Sequence, residues 1–439
     1  MPGLTPTAPA GPPPGPASGP APVGPSPGPS SGLLRDRGFV TFWAGETVSA
    51  TGVQISELAL LLTAVVTLRA SAFEIGLLNV ARYTPFVVVS LFAGVWFDRH
   101  RRRPALIASN AGRALLLGLV PLAVLSGVLS IGLLYVIGFL LGALTVVFDV
   151  GSLSYLPGLV SQRHLTEANS KVQASYALAG IGGPGLGGLL IGILTAPITL
   201  FFSSATYLAS AVSLILISRP EPEPEATDET PSIRTLIGEG IRAVFGNSIL
   251  RNLATQSAVF NLFENVVTTI FAVYAIRSLG LSAGHLGLIL GAGAVGALVG
   301  AALSNRITRL TGPGTALRLS TLAGCVSPVL LLIPRSAGPV ALVILATGLA
   351  VHGASLTVFN VNALTLRQGI TPTRLLGRMN ASYRLLLFGT IPLGALLGGA
   401  LASAFGLRAA LIIGVCGLAG PIAWIPFSPV FALKNGYAS

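Results

Sequence analysis

The chain has 439 residues, 52% of them hydrophobic and only 9% charged, with 54 glycines and a net charge of +12. Soluble domains carry about a quarter charged residues, so a water-covered globule is excluded. Short alternating segments of a transmembrane barrel are not evident. The cations fall at the ends of membrane-length apolar runs. There they set orientation and meet anionic lipid headgroups, which argues against nucleic acid as a partner.

Residues 1–33 are almost entirely Pro, Gly, Ala and Ser. They lack the basic start and apolar core of a signal peptide and cannot bury enough apolar surface to fold, so we expect a disordered cytoplasmic tail. Leu33-Leu34-Arg35-Asp36-Arg37 reads as an amphipathic lead-in. Six spans are predicted near 39–68, 74–97, 104–126, 131–157, 166–194 and 197–218, forming an amino-terminal half over 34–218. Residues 219–251 begin Arg219-Pro220-Glu221-Pro222-Glu223-Pro224-Glu225, which cannot span, and continue into Ile233 to Arg242 at helical spacing. A cytoplasmic linker with an interfacial helix is predicted there. Six further spans near 252–277, 283–305, 314–334, 339–363, 378–404 and 407–430 form a second half over 252–430, with a cytoplasmic tail at 431–439. The predicted fold class is an all-α polytopic membrane protein, with twelve transmembrane helices in two pseudo-symmetric six-helix bundles.

Placing both termini in the cytoplasm puts most of the 26 Lys and Arg on that side. Arg69, Arg277, Arg335 and Arg408 fall outside, and Arg82, Arg113 and Arg384 fall within spans, toward their cytoplasmic ends. This excess predicts a multi-pass protein of the cell membrane with both termini inside. Cys325 and Cys416 each lie in an apolar segment and read as small buried residues.

The halves echo each other. Gly158, Arg163, Leu165 and Asn169 recur as Gly369, Arg374, Leu376 and Asn380, each 211 residues on. Gly187-Gly188 recurs as Gly398-Gly399, and Ser71-Ala72 and Gly76 recur as Ser282-Ala283 and Gly287, at the same offset of 211. Arg99, Arg102 and Glu57 recur at 207 as Arg306, Arg309 and Glu264, with Asn305 where Asp98 stands. A duplicated six-span unit is the signature of a secondary transporter with its site between the halves at mid-membrane.

Two six-helix halves, with Gly94, Asp98, Arg99, Arg102 and Arg103 placed as Gly-x-x-x-Asp-Arg-x-x-Arg-Arg after the second helix, resemble the major facilitator superfamily. Gly183-Pro184-Gly185-Leu186-Gly187-Gly188 in the fifth span is similar to the Gly-Pro-x-x-Gly-Gly core of that family's antiporters, with Ser170 and Ala179 where two earlier glycines of the longer motif stand. Tyr155-Leu156-Pro157-Gly158-Leu159-Val160 and Leu165-Thr166-Glu167-Ala168-Asn169 resemble the enterobactin-exporter and macrolide-efflux branch. The resemblance implies that Asp98 helps gate the cytoplasmic ends of the halves. It also implies that Gly183, Pro184, Gly187 and Gly188 form a tight junction between them. Ordinary helix packing explains the glycines equally well. The fourth span lacks the Arg or Lys that many drug antiporters carry there.

Acids inside the bilayer are costly and therefore informative. Glu57 shares a face of the first span with Thr47, Thr51 and Gln54, and Glu264 shares one of the seventh with Asn261, Asn265 and Thr268. These stripes are expected to face each other across a substrate path, with Glu57 and Glu264 exchanging protons or pairing a cationic substrate. Asp149 is a weaker proton-coupling candidate. Asp149 and Glu46 are expected to pair with an embedded Arg; His352 could serve as a proton relay, but a packed hydrogen-bond partner is the commoner role for a lone histidine. No Ser-His-Asp set, metal-ligand cluster or nucleotide loop stands in the sequence, so no cofactor, metal or enzymatic step is expected.

The resulting expectation is a monomeric, proton-coupled exporter of a small lipophilic or amphipathic molecule, such as a drug, macrolide or siderophore-like metabolite. Its partners are that substrate, protons and membrane lipid. An importer of the same fold and a ligand sensor that moves nothing remain open alternatives.

Overall fold

The computed structural model describes residues 33–161, 164–218, 221, 233–371 and 376–423. The expected tails and the Pro-Glu run after Glu221 lie outside the described residues. In the first half α1 (Arg37–Leu62) ends in a π-helical turn, Thr63–Thr67, and is followed by α2 (Ala72–Arg99), α3 (Arg102–Leu125), α4 (Ile131–Leu159), α5 (Leu165–Leu194) and α6 (Ala196–Leu216). A short helix α7 (Ile233–Gly246) stands where the interfacial helix was expected. The second half contains α8 (Ser248–Arg277), α9 (Ala283–Thr311), α10 (Pro313–Val326), α11 (Pro339–Ile370), α12 (Leu376–Phe405), α13 (Leu407–Gly417) and α14 (Ala419–Ala423).

Ten of these helical segments are long and apolar enough to cross a membrane. The charged α2, with 28 residues, and the broken pair α13–α14 occupy the other two positions of the twelve-helix order. The ninth predicted span is α10 continued by a 3-10 stretch, Ser327–Leu332, in which Pro328 interrupts the α-helical ladder. Cys325 is buried as expected, whereas Cys416 lies on the outer surface of α13.

The helices begin where side chains can satisfy their free N–H groups. Asp36 Oδ1 accepts from the N–H groups of Gly38 and Phe39 at 3.0 and 3.3 Å. Ser71 and Glu74 form a reciprocal capping box at the start of α2. Ser282, the repeat equivalent of Ser71, caps α9 by accepting from His285 N–H at 3.2 Å.

The repeat also governs packing. In the first half α1 packs on α5 and α6, α2 on α4, and α3 on α6. In the second half α8 packs on α12 and α13, α9 on α11, and α10 on α14, which are the same relations. The halves meet through α2 against α12 and α5 against α9. At the first crossing a Cβ on Gly76 would lie 2.6 Å from Ala395 O and 3.4 Å from Gly399 Cα. At the second, a Cβ on Gly188 would lie 2.7 Å from Ala283 O and 3.1 Å from Gly287 Cα. Gly76 and Gly287, like Gly188 and Gly399, are repeat equivalents, so one backbone-on-backbone contact is made twice around a pseudo-two-fold axis. Among lipid tails no hydrophobic force drives helices together, and such close approach supplies dispersion instead.

Both crossings lie toward the end of the molecule carrying the α1–α2, α5–α6, α8–α9 and α12–α13 turns. Further links gather there. Arg277 Nη2 donates to the carbonyls of Val65 and Ala70 at 3.0 and 2.6 Å, and Asn79 Nδ2 donates to Thr269 Oγ1 at 3.2 Å. Leu62, Ile75, Ile270 and Leu286 join one core cluster across the two halves. The halves are therefore closed on each other at the end away from the start of α1.

Candidate transport site

Beneath this closure lie two neighbouring cavities that share Leu61, Thr268 and Leu290 as wall. The first, about 230 Å³, is lined by Gln54, Glu57, Asn79 and Arg82 from one half and by Asn265 and Thr268 from the other. Glu57 Oε1 accepts from Arg82 Nη2 at 3.1 Å. The carboxylate side chain is 39% exposed, so the pair faces the cavity. Arg82 was expected near the cytoplasmic end of its span. It lies instead in the part of α2 nearer the closure, from where it reaches the acid on α1. A guanidinium does not deprotonate in a protein, so Glu57 has a permanent countercharge.

The second cavity, about 290 Å³, has mostly apolar walls, among them Val267, Phe271, Leu331 and Leu349, with Glu264 and His352 at its edge. His352 Nε2 lies 3.1 Å from Glu264 Oε1. This is an ion-pair distance, although Nε2 makes no hydrogen bond of ordinary angle and Glu264 Oε2 is buried without a partner. His352 Nδ1 sits 3.0 Å from Gly324 O, and its ring stacks on Phe260 with centroids 6.1 Å apart. Of the expected stripes, Gln54, Glu57, Asn265 and Thr268 line the first cavity and Glu264 and Thr268 the second, and the two acids do not share one cavity. Each sits at its own cavity against its own basic partner. The sequence offered His352 as a relay second to a packing role, and nothing in one dimension links it to Glu264.

The other candidates are distributed as follows. Gln54 lines the first cavity and supports α5, since a Cβ on Gly183 would collide with its side chain. A Cβ on Gly187 would meet Ile55 Cα at 3.4 Å, so Gly183 and Gly187 seat α5 on α1 while Gly188 seats it on α9. Pro184 lines the first cavity. Thr51 Oγ1 donates to Thr47 O, and Thr268 Oγ1 to Glu264 O. Asn261 lines a smaller pocket in the second half beside Gln256, Arg367 and Tyr383.

Among the described residues Glu46 makes no ion-pair contact with an embedded arginine, although Arg113 acts on it electrostatically. It is 3% exposed and accepts hydrogen bonds from Ser152 Oγ and, at 3.0 Å, from Tyr176 OH. Arg113, 1% exposed, donates to Asn110 Oδ1 and lies between the rings of Phe148 and Tyr207, at 4.2 and 4.5 Å. Its charge meets an amide, two ring faces and the field of Glu46, and its Nε is buried without a hydrogen-bond partner. Asp149 is exposed on α4, close enough to act electrostatically on Glu46 and Tyr176.

Gly94, Asp98 and Arg99 stand in α2, and the side chains of Asp98 and Arg99 lie outside the described residues. The backbone places Asp98 in the last turn of α2. Arg102 and Arg103 open α3, and their N–H groups donate to Glu221 Oε1 and Oε2 at 2.7 and 3.0 Å. Arg103 Nε and Nη2 donate to the carbonyls of Leu214 and Ile215 at 2.8 and 2.9 Å. The basic half of the motif thus ties α3, the end of α6 and the start of the linker together.

Comparison with known proteins places this architecture. The family model described as Major Facilitator Superfamily matches residues 42–389. The multidrug efflux pump Tap of Mycolicibacterium fortuitum is 28% identical over 359 residues, 78% of this chain and 84% of that protein. The enterobactin exporter EntS of Salmonella choleraesuis is 24% identical over 317 residues, 71% of this chain and 73% of that one. Among solved structures, the nucleoside transporter NupG superposes with a TM-score of 0.70 at 13% identity, covering 91% of this chain and 99% of that one. A match across most of the chain, with two six-helix halves enclosing cavities between them, makes this protein a member of the Major Facilitator Superfamily.

Proposed function

We propose that this transporter exports small lipophilic or amphipathic compounds in exchange for protons, by alternating access. The observation that carries the reading is the placement of Glu57 and Glu264 at two adjoining cavities between the halves, beneath the duplicated glycine closure. Ionisable groups in that position feel both the substrate and the rocking of the halves. The similarity to an efflux pump and an enterobactin exporter supports the outward direction, and the largely apolar second cavity supports a lipophilic cargo.

In this reading both termini are cytoplasmic, the closed end is the outer face, and the cavities fill from the cytoplasm. The halves at 34–218 and 252–430 rock about the two glycine crossings, and the 219–251 linker joins them on the cytoplasmic side. Gln54, Asn265 and Thr268 offer polar contacts to the substrate, and Asp98 with its basic neighbours steadies the cytoplasmic ends when these close. The protein acts as a monomer.

The test is a panel of drugs, macrolides and siderophores, measured as accumulation in cells with and without the protein and repeated with a proton uncoupler. Export predicts lower accumulation of at least one compound in expressing cells, abolished by the uncoupler. Higher accumulation in expressing cells would reverse the direction.

A further inference from the structure

The contacts of His352 determine where a proton can reside. Gly324 O can only accept, so the Nδ1 atom 3.0 Å away carries hydrogen. A neutral ring then presents a bare lone pair at Nε2, 3.1 Å from Glu264 Oε1. Two bare acceptors repel at that distance, and one proton held by the pair relieves the repulsion. The pair is therefore a unit with one exchangeable proton, either imidazolium with carboxylate or imidazole with carboxylic acid, and neutral in both forms. Its surroundings reinforce neutrality: the side chains of Glu264 and His352 are 18% and 13% exposed, and the adjoining cavity has mostly apolar walls. The other titratable group facing it from a packed helix, among the described residues, is the buried Cys325 thiol on α10. Glu57 differs, since Arg82 gives it a fixed countercharge beside a more polar cavity.

We propose that the Glu264–His352 pair, and not Glu57, is the proton store of the exchange cycle, and that it trades its proton for the positive charge of a lipophilic cation lodged in the adjoining apolar cavity. This deepens the proton-exchange reading above and rests on it. The charges balance. Loss of one proton to water takes the pair from neutral to −1, and entry of a monovalent cation restores neutrality. Reprotonation cancels the attraction and frees the cation. A neutral or anionic guest would leave a net negative charge among apolar walls, which is costly. The buried, unpartnered Glu264 Oε2 offers the incoming cation an acceptor that the protein leaves unused.

The experiment is tetraphenylphosphonium binding to the purified full-length protein, with protons counted by calorimetry in two buffers of different ionisation enthalpy. The wild type is expected to release close to one proton per cation bound near the pair's titration range. Its Kd should weaken about tenfold per pH unit on the acidic side of that range. Glu264→Gln should bind with no coupled release, whereas Glu57→Gln, whatever its affinity, should still release a proton for each cation that binds. His352→Gln should leave a proton on Glu264 alone and move the pH of half-maximal release, which a merely structural histidine would not do. Release that persists in the Glu264→Gln/His352→Gln double variant, or that vanishes in Glu57→Gln alone, overturns the assignment. Absence of tetraphenylphosphonium binding to the wild type overturns the lipophilic-cation part. Binding is measured without flux, so a protein that releases protons here but fails the cell assay would refute the export reading and leave the pair standing.

Discussion

Gly287→Ala probes the closure at its tightest point. The new Cβ would collide with Pro184 O and lie 3.1 Å from Gly188 Cα and 3.3 Å from Gly188 N. Ordinary carbon contacts fall at about 3.5–4.0 Å. The obstructing atoms are helix backbone, so no side chain can swing aside and α5 and α9 must separate. Overpacking of this kind costs about 1–3 kcal/mol. The cost applies only while the halves are joined at this end. It therefore shifts the equilibrium toward the state in which they part there, by roughly 5- to 150-fold. Leu61 borders both cavities beneath the closure, so Leu61→Cys in a Cys416→Ser background reports access. A membrane-impermeant maleimide applied to intact cells should label it at least fivefold faster with Gly287→Ala. Gly192→Ala on α5, where a Cβ would meet nothing within 4 Å, serves as the control. Equal labelling with Gly287→Ala and with this control would refute the claim that backbone contact holds the halves closed.

Three further outcomes follow from single contacts. Glu221→Ala removes the acceptor for the first two N–H groups of α3. A lost cap costs about 1 kcal/mol, so hydrogen exchange at the Arg102 and Arg103 amides should accelerate several-fold, and unchanged exchange would contradict the cap. Thr195 joins α5 to α6 at φ +93°, where a side chain is strained. Thr195→Gly should stabilise the protein by about 1 kcal/mol, read as a higher Tm in detergent, and a lower Tm would show that the threonine has compensating contacts. Asp98→Asn copies the residue at the equivalent loop position, Asn305. It should leave membrane insertion intact and impair transport, whereas normal flux would reduce the loop to an orientation signal.

Much of the architecture was legible in one dimension because duplication leaves a record in spacing. Ser71 and Ser282 recur as helix caps, and Gly76, Gly188, Gly287 and Gly399 recur as the paired crossings. Hydropathy located the spans, since apolar runs must be membrane-length. The acids were legible as well, for a carboxylate inside an apolar run is conspicuous. Their partners were not. Arg82 reaches Glu57 from a neighbouring helix, and His352 meets Glu264 across the gap between α11 and α8. Such meetings depend on how helices are rotated against one another, which periodicity along a single helix does not encode. Glu46 shows the same limit: an arginine partner was expected, and Arg113 acts on it only through space, while the hydroxyls of Ser152 and Tyr176 hold its carboxylate.

The central claim is that the closed halves form an exchanger that couples proton entry to substrate exit. The most direct measurement is tetraphenylphosphonium uptake into proteoliposomes containing the purified protein, with an acidic lumen imposed against a neutral bath and the membrane potential clamped by potassium and valinomycin. Exchange predicts accumulation of the cation in the acidic lumen, lost on adding an uncoupler and lost with Glu264→Gln. Equal uptake with and without the pH gradient, or accumulation only when the gradient is reversed across both protein orientations, would contradict it.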